Sequence, residues 1–113
     1  MAAIDFEIDR FYGEIVIMRL RLSEINSWIS DYESKRYSYP PWKTKDGELI
    51  KVYNITDEHL SNLIPFLEKK DPKNETKWID LFKCEMTYRK IKEERKTIQE
   101  KLLKYEEIGE LCL

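Results

Sequence analysis

A regular stripe of apolar side chains near the amino terminus constrains the fold of this chain more than any other feature. The stripe consists of Ile4, Ile8, Phe11, Ile15, Met18, Leu22, Ile25, Ile29 and Tyr32. Its alternating spacings of three and four are those of helices that pack along a heptad seam. Such a face packs against another helix, because leaving it in water is unfavourable. The sequence therefore predicts a long helix over residues 1–34 that is buried against at least one other helix.

Further apolar side chains beside the stripe widen this face. They are Val16, Ile17, Leu20 and Trp28. A two-stranded seam uses only two of every seven positions, so one partner helix does not cover a face of this width. We therefore expect a homo-oligomer, although the pattern leaves open whether the long helices pair within one chain or between chains. The predicted oligomer interface is Ile8, Phe11, Ile15, Met18, Leu22, Ile25 and Ile29.

A second stripe of the same kind lies in the carboxyl-terminal third of the chain. It consists of Leu81, Cys84, Tyr88, Ile91, Ile98, Leu102 and Tyr105. Arg95 occupies one seam position, where a charged residue lowers stability and fixes register or partner choice. Gly109 is predicted to end the helix, since glycine is favoured just past a helix terminus. We predict a second long helix over residues 75–109.

The sequence between the two stripes predicts a β-hairpin and a shorter helix. A Pro-Pro pair at positions 40 and 41 ends the first helix, because proline cannot donate to the helical ladder. Asp46-Gly47 is a strong signal for a type I′ turn, which predicts a hairpin over residues 42–53. Thr56 is the predicted N-cap of a helix over residues 56–70. Pro65 should kink that helix.

These elements predict one domain over residues 1–113 in the α+β class, mostly α. Two long heptad-patterned helices flank a short β-hairpin and a kinked helix. At this length the chain has room for one modest hydrophobic core.

Composition disfavours several functional classes. Twenty basic and 22 acidic residues give a net charge of −2, so no general field attracts phosphate backbones and nucleic acid is disfavoured as a partner. Two cysteines and one histidine are too few for a disulfide framework or a usual zinc site, and we expect neither metal nor cofactor. The chain shows no export signal and no 18-residue apolar run, so we expect a cytoplasmic protein without a membrane span.

The residues with chemical potential are few, and they predict binding rather than catalysis. His59 is the only candidate general base, and no nucleophile motif accompanies it. We therefore expect no enzyme. Tyr37, Tyr39, Trp42 and Tyr53 lie close in sequence to Lys35, Arg36, Lys43 and Lys45. These rings could stack a base while the cations hold phosphates, or they could form the core of the hairpin region.

One block in the middle of the chain resembles known proteins. The block is Trp42-x-Thr44-Lys45-Asp46-Gly47-x-x-Ile50 followed by Thr56-Asp57-x-His59-Leu60-x-Asn62-x-Ile64. It resembles a block in small phage and prophage proteins and, more loosely, the hairpin-then-helix region of the Thoeris anti-defence sponges. Those phage proteins bind a cyclic ADP-ribose signal and keep it from its effector. The resemblance covers residues 42–64 and neither long helix.

The resemblance implies a phage-encoded counter-defence protein that sequesters a cyclic nucleotide immune signal. The predicted ligand-binding residues are Trp42, Tyr53, His59, Asn62 and Arg89. Two alternatives stay open: an anti-CRISPR-like inhibitor that binds a host defence protein directly, and a helical assembly or accessory phage protein.

Overall fold

A computed structural model describes the backbone of residues 2–70 and 76–112 and the side chains of residues 10–70 and 77–109. It confirms the predicted class, mostly α with a short hairpin between long helices. The elements are α1 (Ala2–Arg36), β1 (Trp42–Lys43), β2 (Leu49–Ile50), a 3-10 turn (Val52–Asn54), α2 (Asp57–Lys70) and α3 (Thr76–Cys112). Two compact units account for the chain: a terminal unit of residues 1–28 and 91–113, and a central unit of residues 29–90.

In the terminal unit, α1 and α3 pack side by side in antiparallel directions. The ring centroid of Phe11 lies 5.1 Å from that of Tyr105. Nearer the other end of the unit, Arg21 forms two 2.9 Å hydrogen bonds with the carboxylate of Glu94. The first stripe therefore pairs with a helix of the same chain, as its spacing allows.

This pairing covers much of the stripe that was predicted to form the oligomer interface. Ile15 and Ile25 are buried within the terminal unit, and Ile29 is buried within the central unit. Phe11, Met18 and Leu22 are half-buried, while the side chain of Ile8 lies outside the described residues. The stripe thus has little surface left for a second copy, because its own chain already covers it.

In the central unit, the hairpin, α2 and the first part of α3 enclose one hydrophobic core. The fully or nearly buried members are Val52, Ile55, Leu60, Leu63, Leu67, Ile79 and Phe82. Trp42 of β1 lies with its ring 5.0 Å from Trp78 and 5.3 Å from Phe82, so the hairpin packs on α3. This contact supplies the support that a two-stranded hairpin lacks in water.

The hairpin is shorter than predicted, and its turn is of another type. Its strands pair Trp42 with Ile50 and Lys43 with Leu49, and residues 52–54 form the 3-10 turn instead of continuing the strand. The amide of Gly47 donates to the carbonyl of Thr44 at 3.0 Å, and that of Thr44 to the carbonyl of Glu48 at 2.8 Å. Gly47 has φ 86°, whereas no non-glycine residue in the described ranges has positive φ. A type I′ turn needs positive φ at Asp46 as well, so the loop is the three-residue kind that ends on a left-handed glycine.

Helix α2 begins where the sequence predicts. The Thr56 hydroxyl accepts a hydrogen bond from the backbone N–H of His59 at 3.2 Å, which confirms Thr56 as the N-cap. The helix runs continuously from Asp57 to Lys70 with Pro65 inside it, and the kink at Pro65 stays a prediction.

Two details of the prediction for α3 are wrong. The helix continues through Gly109 to Cys112, because Gly109 lacks the positive φ with which glycine ends a helix. Cys84 is exposed, whereas the neighbouring Glu85 is fully buried. The reason is that α2 and the hairpin also pack on this part of α3, so Ile79 and Phe82 join the buried face.

The central core provides a test of this fold. Phe82→Ala should lower the free energy of unfolding by about 3–5 kcal/mol, because it removes a fully buried ring and leaves a cavity. Phe66→Ala is the matched control, since Phe66 is exposed on α2 and its loss should cost within about 0.5 kcal/mol. Urea unfolding followed by circular dichroism measures both, and equal losses would contradict the described core.

Candidate functional site

The central unit contains a buried carboxylate with three cationic or phenolic partners. Glu85 of α3 is fully buried and accepts a hydrogen bond from the Tyr32 hydroxyl at 2.8 Å. Arg36 donates to its two oxygens from Nε and Nη2, both at 2.8 Å. Arg89 donates from Nε at 2.8 Å. A carboxylate without solvent is tolerated only when paired and hydrogen-bonded in this way.

Helical spacing brings these groups together. Tyr32 and Arg36 are one turn apart at the end of α1, and Glu85 and Arg89 are one turn apart on α3. Residues four apart on a helix lie on the same face, so each helix presents two members of the cluster to the other. The cluster is thus built from two i,i+4 pairs.

Arg89 also ties the start of α2 to α3. Its Nη1 donates to the carboxylate of Asp57 at 2.6 Å, and its Nη2 donates to the carbonyl of Ile55 at 2.6 Å. Asp57 is the first residue of α2, where the positive end of the helix dipole favours an acid. Every nitrogen of the Arg89 guanidinium therefore has an acceptor within the fold.

Tyrosine rings surround the guanidinium of Arg36. Its central carbon lies 4.5 Å from the ring centroid of Tyr88, 5.4 Å from that of Tyr53 and 5.8 Å from that of Tyr37. These distances are those of cation–π contacts. Tyr37 is 60% exposed and its ring lies 5.2 Å from that of Tyr53. No described residue accepts a hydrogen bond from Nη1 of Arg36, since its bonds to Glu85 use Nε and Nη2.

The buried phenols keep their protons to unusually high pH. Burial, and then the hydrogen bond to Glu85, raises the pKa of Tyr32. Burial, and then a 2.5 Å hydrogen bond to Glu33, raises the pKa of Tyr88 to about 12. Both phenols thus act as donors to carboxylates and not as acids or bases near neutral pH.

The residues predicted to bind ligand lie in different surroundings. Tyr53 and Arg89 belong to the cluster around Glu85, but the donors of Arg89 are already used. Trp42 is half-buried against the hydrophobic core. On α2, His59 is half-buried and Asn62 is exposed.

Glu85 and its role were missed at the level of sequence. It lies next to the predicted seam residue Cys84 and was not among the candidate residues, although it is the centre of the cluster. The available signal was the spacing of Glu85 and Arg89, since a glutamate four residues before an arginine favours an ion pair on a helix. That signal does not indicate burial, because exposed pairs have the same spacing.

The cluster is one of hydrogen bonds and ion pairs, with no sign of a metal centre. In the described part of the chain, no group of three or more His, Cys, Asp or Glu is arranged to hold a metal ion. Nor does any described helix combine the length and apolarity that crossing a membrane requires. In comparisons with known proteins, no family model, curated protein or solved structure matches this chain significantly.

The buried charge gives a sharp stability test. Glu85→Gln removes the negative charge between two arginines at nearly constant volume, so we expect a loss of about 3–5 kcal/mol in the free energy of unfolding. Glu100→Gln on the exposed face of α3 is the control and should change it by less than about 0.5 kcal/mol. If urea unfolding gives similar values for the two variants, Glu85 is not the centre described above.

The pKa of Tyr88 predicts a decline of stability in alkali. A phenol whose pKa is higher in the folded chain stabilises it fully below about pH 10, and this contribution is lost as the pH rises through about 12. Tyr88→Phe should therefore show a smaller fall in unfolding free energy between about pH 9 and pH 11 than the wild type. Urea unfolding at both pH values measures the difference, and equal falls would contradict the assignment.

Proposed function

We propose that this protein is a non-catalytic, cytoplasmic binding protein of the phage counter-defence kind, which sequesters a cyclic nucleotide signal. The observation that supports the proposal most is the surface of the central unit at Arg36 and Tyr37. There the guanidinium of Arg36, whose side chain is 12% exposed and whose Nη1 donates to no described residue, adjoins the exposed ring of Tyr37. Aromatic rings stack nucleobases and guanidinium groups bind phosphates, so this pairing suits a nucleotide.

The block that resembles phage proteins lies in the same unit as Arg36 and Tyr37. Several of its residues serve the fold: Trp42 and Leu60 pack in the core, Gly47 closes the hairpin loop and Thr56 caps α2. His59 and Asn62 have no such role in the core. They are three residues apart, which places them on one face of α2, where their polar groups can contribute to recognition.

Charge balance limits how such a ligand would be held. Arg36 and Arg89 are offset by Glu85 and Asp57, so the cluster has no excess positive charge. Binding would then depend on stacking and on one guanidinium edge more than on a long-range field. We therefore expect the affinity to depend only weakly on salt concentration.

The absence of catalysis is part of the proposal. No hydrogen bond within the described residues joins the imidazole of His59 to a hydroxyl or thiol that it could activate. The hydroxyl of Tyr32 donates to Glu85, and that of Tyr88 donates to Glu33, so both phenols are engaged with carboxylates. Neither arrangement provides a nucleophile, a base and an oxyanion donor around one point.

A direct inhibitor of a host defence protein is the second candidate. It is favoured by Leu49, a β2 side chain that is 64% exposed beside the hairpin loop. Leu49 and the exposed ring of Tyr37 belong to the same unit and would suit a protein surface. An accessory role in a helical assembly is the third possibility that the sequence leaves open.

Calorimetric titration distinguishes the first two candidates. We expect cyclic ADP-ribose isomers or cyclic oligonucleotides to bind, and Tyr37→Ala to weaken binding by about tenfold or more, the usual effect of losing one stacked base. Phe66→Ala is the matched control, since Phe66 is a similarly exposed ring on α2. No heat with any of these ligands would remove the nucleotide proposal. Recovery of one stoichiometric protein from host lysate would then favour the inhibitor.

A further inference from the structure

The outer surface of α1 in the terminal unit carries an apolar patch that no part of the described chain covers. Its members are Tyr12, Val16, Ile17 and Leu20, with exposed fractions of 55%, 54%, 66% and 62%. Tyr12, Val16 and Leu20 follow one another at intervals of four residues, and Ile17 lies three residues before Leu20. Side chains three and four apart are neighbours on a helix, so the four form one patch on the side away from the buried Ile15 and Ile25. A contiguous exposed apolar patch of this kind often marks a site of protein interaction.

We propose that this patch is the interface of a homodimer in which α1 packs antiparallel against α1 of a second copy. The interface differs from the one predicted from the heptad stripe, whose side chains α3 and the central core already cover. It does not depend on the proposed nucleotide site, which lies in the other unit. A second copy, as opposed to another protein, is indicated by the charges that flank the patch.

Arg10 lies before the patch and Glu24 lies after it, seven residues on either side of Ile17. In an antiparallel pair centred on Ile17, Arg10 of each copy is level with Glu24 of the other. A two-fold axis therefore produces two attractive contacts, one at each end of the interface. A parallel pair in register would instead set Arg10 against Arg10 and Glu24 against Glu24.

Both charged side chains are available for such contacts. Within the single chain, Arg10 pairs with Glu14 at 3.7 Å, and Glu24 pairs with Arg21 at 3.3 Å. The Arg10 and Glu24 side chains are 75% and 73% exposed, and exposed ion pairs within one helix contribute little to stability. Exchanging them for contacts between copies therefore costs little.

The shape of the helix also suits a close partner. A Cβ at Gly13 would meet nothing within 4 Å, so the surface there is open. In the antiparallel register, Leu20 of one copy falls near the level of Gly13 of the other, where the missing side chain leaves room for it. Ile17 meets Ile17 at the axis.

A residue on α3 extends the patch. Arg19 contacts Glu106 across the terminal unit at 3.8 Å, which identifies one flank where the two helices meet. Val16 and Leu103 each lie three residues before a member of this pair and so share that flank. Leu103 is 59% exposed.

Sedimentation velocity on the full chain tests the proposal. We expect a dimer at about tens of micromolar protein. Ile17→Asp sets two carboxylates against each other at the axis and should raise the dimer dissociation constant by about 100-fold or more. Ile108→Asp is the control, because Ile108 is exposed on α3 of the same unit, outside the patch. It should leave the dimer unchanged, and circular dichroism should show both variants folded, since each side chain is exposed.

A charge exchange tests the antiparallel register. Arg10→Glu and Glu24→Arg should each weaken the dimer several-fold, and the double exchange should restore it. A wild-type monomer at about 100 micromolar would overturn the proposal, as would dissociation by Ile108→Asp but not by Ile17→Asp. Failure of the double exchange to restore association would overturn the antiparallel arrangement.

Discussion

The carboxylate of Glu85 is the constraint on which the central unit depends. A charge without solvent is destabilising unless its partners are fixed around it, and here Tyr32, Arg36 and Arg89 provide four hydrogen bonds. Those partners come from the end of α1 and from α3, and Arg89 extends the network to the start of α2. The network therefore specifies how three helices meet, which apolar contacts alone define less sharply.

The same network determines what the central unit can offer a ligand. Arg89 was predicted from sequence to bind the ligand. Its guanidinium nitrogens instead donate to Glu85, Asp57 and the Ile55 carbonyl. Arg36 uses Nε and Nη2 for Glu85, and its guanidinium lies against the rings of three tyrosines. The proposed nucleotide site is therefore centred on Arg36 and Tyr37 and not on Arg89.

The two apolar faces of α1 have different surroundings in the terminal unit. Phe11 and Ile15 lie on the face that packs against α3, whereas Val16, Ile17 and Leu20 remain in solvent. The width of the apolar surface was evident from sequence, and it motivated the expectation of an oligomer. Only the packing of the chain shows which face is already used and which one is available to a second copy.

The sequence by itself determined the long helices, the N-cap at Thr56 and the position of the hairpin, because these follow from periodicity and from the local chemistry of a few neighbouring residues. It did not determine the turn type, since Asp46-Gly47 is compatible with more than one loop. It also missed Glu85, because the burial of one helix position depends on residues about fifty positions away at the end of α1. Tertiary structure decided that pairing and the covered face of α1, since both arise from contacts between segments distant along the chain.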